Sequence, residues 1–390
     1  MTQDPVIAGW AHTKFGKSEA PDVYDLIAEV TPQALDHAGI PASEIDGVFV
    51  GCYSNGFSVQ AFEAALPAMA IDDLRYAPAA RLENACATGS AALYAAADFI
   101  AAGRGRTALV VGAEKMTHVS PIEAGQSMLS GSWRAEEAVD ANSFADIFGR
   151  VAGTYFQANG DHSEELAMIA SKNHHNAMNN PFAHMQKPFD IGFCNTPSDK
   201  NPVVAGPLRR TDCSLISDGA AAIVLASPDL IDDLPRAISF RARAQSNDIL
   251  ALSRRDATAF EGARRAWRNA LGAAEMTLDD LDLVETHDCF TIAELIEYEA
   301  MGLAERGQGG RVIRDGVTQM TGRLPVNPSG GLKARGHPLG ATGVSQHVMA
   351  AMQLTGDAGD MQVPQASTAA VFNMGGVAVA NYVSIMERRK

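Results

Sequence analysis

Four stretches of the chain bring together residue types that do chemistry. The first is Asn84-Ala85-Cys86-Ala87-Thr88-Gly89-Ser90, a cysteine followed by small residues that continue to Gly103. The run predicts a helix over 86–102 with little charge apart from Asp98, a composition that suits a buried helix with close neighbours. Cys86 then falls in the first helical turn. There, unpaired backbone N–H groups and the positive end of the helix dipole favour a thiolate, the nucleophilic form of cysteine. The second stretch is His287-Asp288-Cys289-Phe290, placed directly after the apolar run 281–284. Ligands in α/β folds sit at the C-terminal ends of strands, so His287 and Cys289 could share one pocket. The third, residues 327–343, holds His337 between Gly336 and Pro338. Its glycine density means backbone packed closely against something, but the spacing is neither G-x-x-x-x-G-K-S/T nor G-x-G-x-x-G. The fourth, Phe372-Asn373-Met374-Gly375-Gly376, offers backbone N–H groups to an oxyanion. Each stretch alone also fits a plain structural role: a small buried thiol, a strand-end turn, a packed histidine, a tight turn into the last strand.

These groups lie far apart along the chain, so the surrounding elements must bring them together. Apolar runs at 5–9, 48–51, 107–112 and 218–225 read as strands, the later ones as buried. Residues 24–38 show helical periodicity, with Leu26, Ile27, Val30, Ala34 and Leu35 on one side and Gly39 as the stop. Between 114 and 207 the composition shifts toward Met, His, Asn, Ser and Phe, with helical pieces at 144–159 and 164–177. This segment reads as an insertion or lid. A linker at 228–235 separates two units, 1–235 and 236–390. The second repeats the first: residues 34–48 and 270–284 align without gaps, each as helix, acidic turn and buried strand. Ala87-Thr88-Gly89 is echoed by Ala341-Thr342-Gly343, and the strand at 218–225 by 375–383. Their common order argues for two similar α/β halves packed together.

At 390 residues, 46% hydrophobic and 20% charged, the chain has the balance of an ordinary globular protein with a large core. A formal charge of −15 argues against nucleic acid or an anionic membrane as partner, so an anionic ligand needs a local basic patch. No apolar run reaches the length of a membrane span, and residues 1–10 lack the regions of a signal peptide. Five scattered cysteines suggest free thiols in a reducing cytoplasm. No C-x-x-C or zinc-type histidine spacing points to a structural metal.

Together, N-A-C-A-T-G-S at 84–90, D-G-A-A-A at 218–222, H-D-C-F at 287–290 and N-P-S-G-G…G-H-P-L-G-A-T-G at 327–343 resemble the thiolase superfamily over nearly the whole chain. H-D-C-F, in place of the N-E-A-F of common thiolases, resembles the sterol-carrier-protein-type branch and its archaeal and bacterial relatives. The resemblance implies a five-layered αβαβα fold with duplicated halves and an inserted loop domain, here 114–207. It implies an acyltransferase of lipid metabolism that runs Claisen condensation or thiolysis on coenzyme A thioesters, with no bound cofactor or metal. Matched position by position, Cys86 is the nucleophile, His337 its activating base and Cys289 the acid/base, since the usual second cysteine is here Asn373. His287 replaces the asparagine of one oxyanion hole, and the N–H groups of Cys86 and Gly375 match the other. The phosphates of CoA need cations, for which Lys187, Lys200, Arg209 and Arg210 are candidates, with Arg150, Lys172, Lys333 and Arg335 behind them. Family members form homodimers or homotetramers. Rival activities within the resemblance are a retro-aldolase and a multicomponent acyltransferase with a small OB-fold partner; a non-catalytic CoA-binding scaffold would keep only the fold.

Overall fold

Runs of small and branched apolar residues lay down the strands. The computed structural model describes residues 4–54 and 56–390, so Met1, Thr2 and Gln3 of the N-terminal stretch lie outside the described residues. Nine strands pair in the order Ala79–Leu82, Val48–Gly51, Thr107–Glu114, Gly219–Ala226, Val6–His12, Ile238–Asn247, Ala380–Arg388, Thr368–Gly375 and Leu283–Glu285. The two halves of this order join where Val6 and Ile7 pair with Ser239 and Ile238.

Successive side chains leave a strand on opposite faces, and each face has its own layer to meet. Val110, Ile223 and Leu225 pack with Phe240, Leu283 and Val371 around Leu93, Ala96, Val344 and Val348. Leu109, Val111 and Val224 instead face Leu26, Ile27 and Val30 of helix Val23–Ala38. On the far side, Val284, Phe372 and Ile385 meet Ala266, Trp267 and Ala270 of helix Glu261–Ala274, with Ile292 and Ile296 of helix Thr291–Met301. The layers therefore run helix, sheet, helix pair, sheet, helix, as the resemblance implied.

The central helix pair, Thr88–Ala101 and Leu339–Thr355, explains the A-T-G echo. The two helices touch through its glycines: a Cβ on Gly89 would lie 2.7 Å from the Val344 nitrogen, and one on Gly343 would collide with the Ser90 nitrogen. With no side chain in the way, two helix starts and the loops that precede them meet at one point.

The duplication is structural. Helix Val23–Ala38, the turn Ala42–Glu44 and strand Val48–Gly51 match helix Glu261–Ala274, the turn Leu278–Asp280 and strand Leu283–Glu285. One echo does not hold as a single strand. Residues 375–383 straddle a hairpin, because one strand ends at Gly375, Gly376 and Ala378 turn at φ +63° and +51°, and the return strand starts at Ala380. Between Glu114 and Gly219 the chain leaves the sheet for helices that include Pro121–Met128, Phe144–Asn159 and Ser163–Asn176, and for a small hairpin, Val203–Ala205 with Leu208–Arg209. Phe148 of this excursion stacks on Phe290 with ring centroids 4.4 Å apart, so it closes over the H-D-C-F loop.

Candidate active site

Cys86 does not lie in the helix. The helix begins at Thr88 behind its cap Ala87, and Cys86 sits on the preceding turn, reached through Ala85 at φ +49°. Left-handed backbone at a residue with a Cβ costs about 1–3 kcal/mol, so something must hold it. Thr88 does: its hydroxyl accepts from the Asn84 N–H at 2.8 Å and donates to the Ala85 carbonyl at 2.6 Å. The expected first-turn position is lost because residues 84–87 are spent on this turn. The helix start was expected to lower the thiol's pKa, and the direction is the opposite. Burial pushes the Cys86 thiol up to about 12, opposed by the backbone N–H groups of Gly376 and of Cys86 itself, while Glu83 and Glu114 add to the rise. The neighbouring amide that faces the sulfur is thus Gly376, one residue beyond the Gly375 named from sequence.

His337 comes from the glycine-rich loop, where Gly336 turns the chain at φ +113° and the His337 N–H donates to the Ser217 hydroxyl at 3.3 Å. Its Nδ1 lies 2.7 Å from the Thr342 hydroxyl, which itself donates to the Pro338 carbonyl at 2.8 Å. The hydroxyl proton is committed, so the ring supplies the other one. Nδ1 carries a proton and Nε2 a lone pair. That Nε2 is buried without a protein partner. Burial, and then the Arg335 charge, lower the ring's pKa to about 3 and keep it neutral. A neutral imidazole with a free lone pair is a base.

His287 and Cys289 stand on the loop between strand Leu283–Glu285 and helix Thr291–Met301. Asp288 pins that loop to the glycine-rich one. Its carboxylate accepts the N–H groups of Leu332 at 2.6 Å and Lys333 at 3.1 Å, and the Asn173 amide at 2.7 Å. His287 Nδ1 lies 2.8 Å from the Asn373 amide nitrogen, which lies 3.1 Å from the Cys86 carbonyl; Nε2 is buried and unpartnered. Burial, then the charges of His337 and Arg335, hold His287 well below its ordinary pKa. Burial pushes the Cys289 thiol well above its own, helped by Cys86, Glu297 and Asp288.

The Cys86 sulfur and one ring nitrogen from each of His287 and His337 lie within 4.8 Å of one another. The two imidazoles meet edge to face, centroids 5.1 Å apart at 83°. Cys86, Cys289 and His337 line one cavity of about 240 Å³, walled by Met116, Met128, Phe144, Phe148, Phe290 and Leu339. Two thiols, a base and N–H donors around an apolar chamber suit acyl transfer to sulfur. By spacing alone, Cys86, His287 and His337 would also fit a metal ion, the one such group among the described residues.

The candidate cations divide. Arg210 is exposed and lines the cavity. Arg209 is buried, donating to the Ser163 carbonyl and Asn195 beside Asp212, and is not free for a phosphate. Lys187 and Lys200 are exposed away from the cavity lining. Lys172 pairs with Glu294 and Arg335 with Glu285 in the interior. Glu114, missed from sequence, accepts the N–H groups of Tyr53, Ser54 and Gly340, each at 2.9 Å, and so joins a cavity loop to the start of helix Leu339–Thr355, just after His337. Burial pushes its carboxyl up to about 7, opposed by those three amides. The available signal was an acid closing an apolar strand. Asp288 and Thr342 lay inside the motifs, but spacing did not say what each would bond.

Residues 5–191 match the family model "Thiolase, N-terminal domain", and residues 244–388 match "Thiolase C-terminal domain-like". The chain is 37% identical to an acetyl-CoA acetyltransferase of Methanothermobacter thermautotrophicus, across 99% of this chain and 100% of that one. It is 31% identical to human sterol carrier protein 2, across 95% of this chain and 69% of that protein. Among solved structures, the Ltp2-ChsH2(DUF35) aldolase superposes with TM-score 0.84 at 21% identity, covering 100% of this chain and 99% of that one. Human mitochondrial 3-ketoacyl-CoA thiolase in complex with CoA gives 0.75 at 17% identity, with coverage of 100% and 99%. At such identities the likeness speaks for the fold alone.

Proposed function

Since the chain belongs to the thiolase family, we propose that its convergent cysteines and histidines run a reversible Claisen reaction on acyl-CoA thioesters, through an acyl group carried on Cys86. The protein is a thiolase-type acyltransferase. The observation that carries the assignment of roles is the approach of the Cys86 sulfur and the two imidazoles to within 4.8 Å.

In thiolysis, His337 Nε2 takes the Cys86 proton as sulfur attacks the keto carbon of a β-ketoacyl-CoA. The N–H groups of Gly376 and Cys86 receive the tetrahedral oxyanion. The carbon–carbon bond then breaks, and the leaving enolate oxygen is held by the His287 ring. Cys289 gives its proton to the enolate carbon, releasing acetyl-CoA while the shortened acyl group stays on Cys86, and the proton on His337 passes back to Cys289. A thiol held well above its ordinary pKa is suited to that acid role. Free CoA next attacks the acyl-enzyme, its proton passing through His337 to the departing Cys86 sulfur. Condensation is the reverse sequence. Each oxyanion donor of this kind lowers the barrier by about 3–4 kcal/mol.

The apolar chamber takes the acyl chain and Arg210 meets the phosphates of CoA. A homodimer fits the sheet edge, where strand Ala79–Leu82 is largely exposed beside a 93% exposed Tyr76 and offers unpaired backbone to a second copy. No helix among the described residues is long and apolar enough to cross a membrane; action in the cytoplasm follows the sequence reading.

Intact-mass measurement after mixing with acyl-CoA tests the reading. The wild type gains an acyl group, Cys86→Ala gains none, and Cys289→Ala gains one but no longer cleaves carbon–carbon bonds. Aldol cleavage by a wild type that never acquires the adduct would establish the retro-aldolase in its place.

A further inference from the structure

Asn373 touches both sides of the site, yet none of the steps above uses it. Its amide nitrogen lies 3.1 Å from the Cys86 carbonyl and 2.8 Å from His287 Nδ1. A carbonyl only accepts, so the end of the amide that faces it is the NH₂ group and not the oxygen. That group has two hydrogens and two neighbours. One hydrogen goes to the Cys86 carbonyl, and the other goes to Nδ1, which must therefore be the acceptor nitrogen of the ring. The ring proton then sits on Nε2, the buried nitrogen without a protein partner. His337 has the opposite assignment, because Thr342 takes its Nδ1 proton. Two like side chains 5.1 Å apart thus become one donor and one base through unlike neighbours.

We propose that Asn373 is a positioning residue: it fixes His287 as the Nε2–H tautomer, so that the ring meets the substrate oxygen as a donor, and ties it to the backbone of the nucleophile. What the N–H is used for rests on the thiolase reading; the tautomer does not. A second consequence is independent of catalysis. A ring nitrogen that carries a proton is no metal ligand, so the Cys86, His287 and His337 group is held back from chelation by Asn373.

Asn373→Asp keeps the size and reverses the chemistry. A carboxylate accepts from Nδ1–H and leaves Nε2 a lone pair, the arrangement found behind metal-binding histidines. ¹⁵N NMR of histidine-labelled protein, with His287→Gln to assign the signal, reads the tautomer directly. The expected result is Nε2–H in the wild type, Nδ1–H in Asn373→Asp, and a mixture in Asn373→Ala. Zinc titration against a competing chelator should show at least about tenfold tighter binding by Asn373→Asp than by the wild type. Thiolysis kcat should fall about 100-fold or more, the usual loss of one oxyanion donor. The same Nε2–H tautomer in all three proteins, or equal zinc affinity in wild type and Asn373→Asp, overturns the proposal. A wild type with the Nε2–H tautomer but no acyl adduct on Cys86 would remove the thiolase reading and leave this one standing.

Discussion

Alkylation of Cys86 by iodoacetamide, followed across pH in the free protein, tests how the nucleophile is activated. Burial lifts this thiol from 9.0 to about 12. At about 1.36 kcal/mol for each tenfold, that rise sets about 4 kcal/mol against the thiolate, and near pH 7 only about one molecule in 10⁵ would carry it. Burial and the Arg335 charge, which lower His337 to about 3, disfavour the matching imidazolium in the free protein. Below its pKa a thiol gains thiolate tenfold per pH unit, so the alkylation rate should climb tenfold per unit from about pH 6 to about pH 10 without levelling. A preformed thiolate–imidazolium pair would instead give a rate already level by about pH 6. The assay is quenched labelling with mass spectrometry on the peptide that contains Cys86, the Cys86→Ala protein serving as blank. A level rate between about pH 6 and pH 8 would refute the reasoning. If the climb is seen, His337 removes the proton during attack and not beforehand, and His337→Ala should lose about 10²–10⁴ in kcat/KM.

Three further outcomes are expected. Arg335→Ala strips the partner from Glu285, a pair 3.0 Å apart with both side chains fully buried, and should cost about 3–5 kcal/mol in urea unfolding. Thr342→Val removes the acceptor of the His337 Nδ1 proton and should slow acyl-enzyme formation, with about 1–3 kcal/mol lost in stability, both read on one preparation by stopped-flow and melting. Ala145→Trp narrows the cavity, and the ratio of kcat/KM for octanoyl- over acetyl-CoA should drop at least about tenfold; an unchanged ratio would place the acyl chain elsewhere.

Much of the layering was legible because it follows from short-range pattern. The unbroken apolar run at 107–112 announces a strand buried on both faces, the helical period of 24–38 announces a helix and its buried side, and the helix expected over 144–159 is found there. Legibility failed where the chain competes with itself across space. Small residues favour helix from 86 onward, yet the contact of Thr88 with Asn84 and Ala85 claims those residues for a turn. Of the cations, Arg209 and Arg210 are neighbours in sequence, but one is spent on Asn195 and Ser163 while the other opens on the cavity.

The amino-acid order by itself determined which reactive groups this protein owns, the two-fold plan that carries them and the small-residue crossing that lets them meet. The tertiary structure alone decided their surroundings: burial that pushes the Cys86 thiol up, an accepting nitrogen on one imidazole and a donating one on the other, Gly376 as the amide at the sulfur. Pattern acts between residues a few positions apart. Desolvation and proton placement are set by whatever the fold brings alongside, and here Cys86 answers to Gly376 and His287 to Asn373, neighbours that no local window contains.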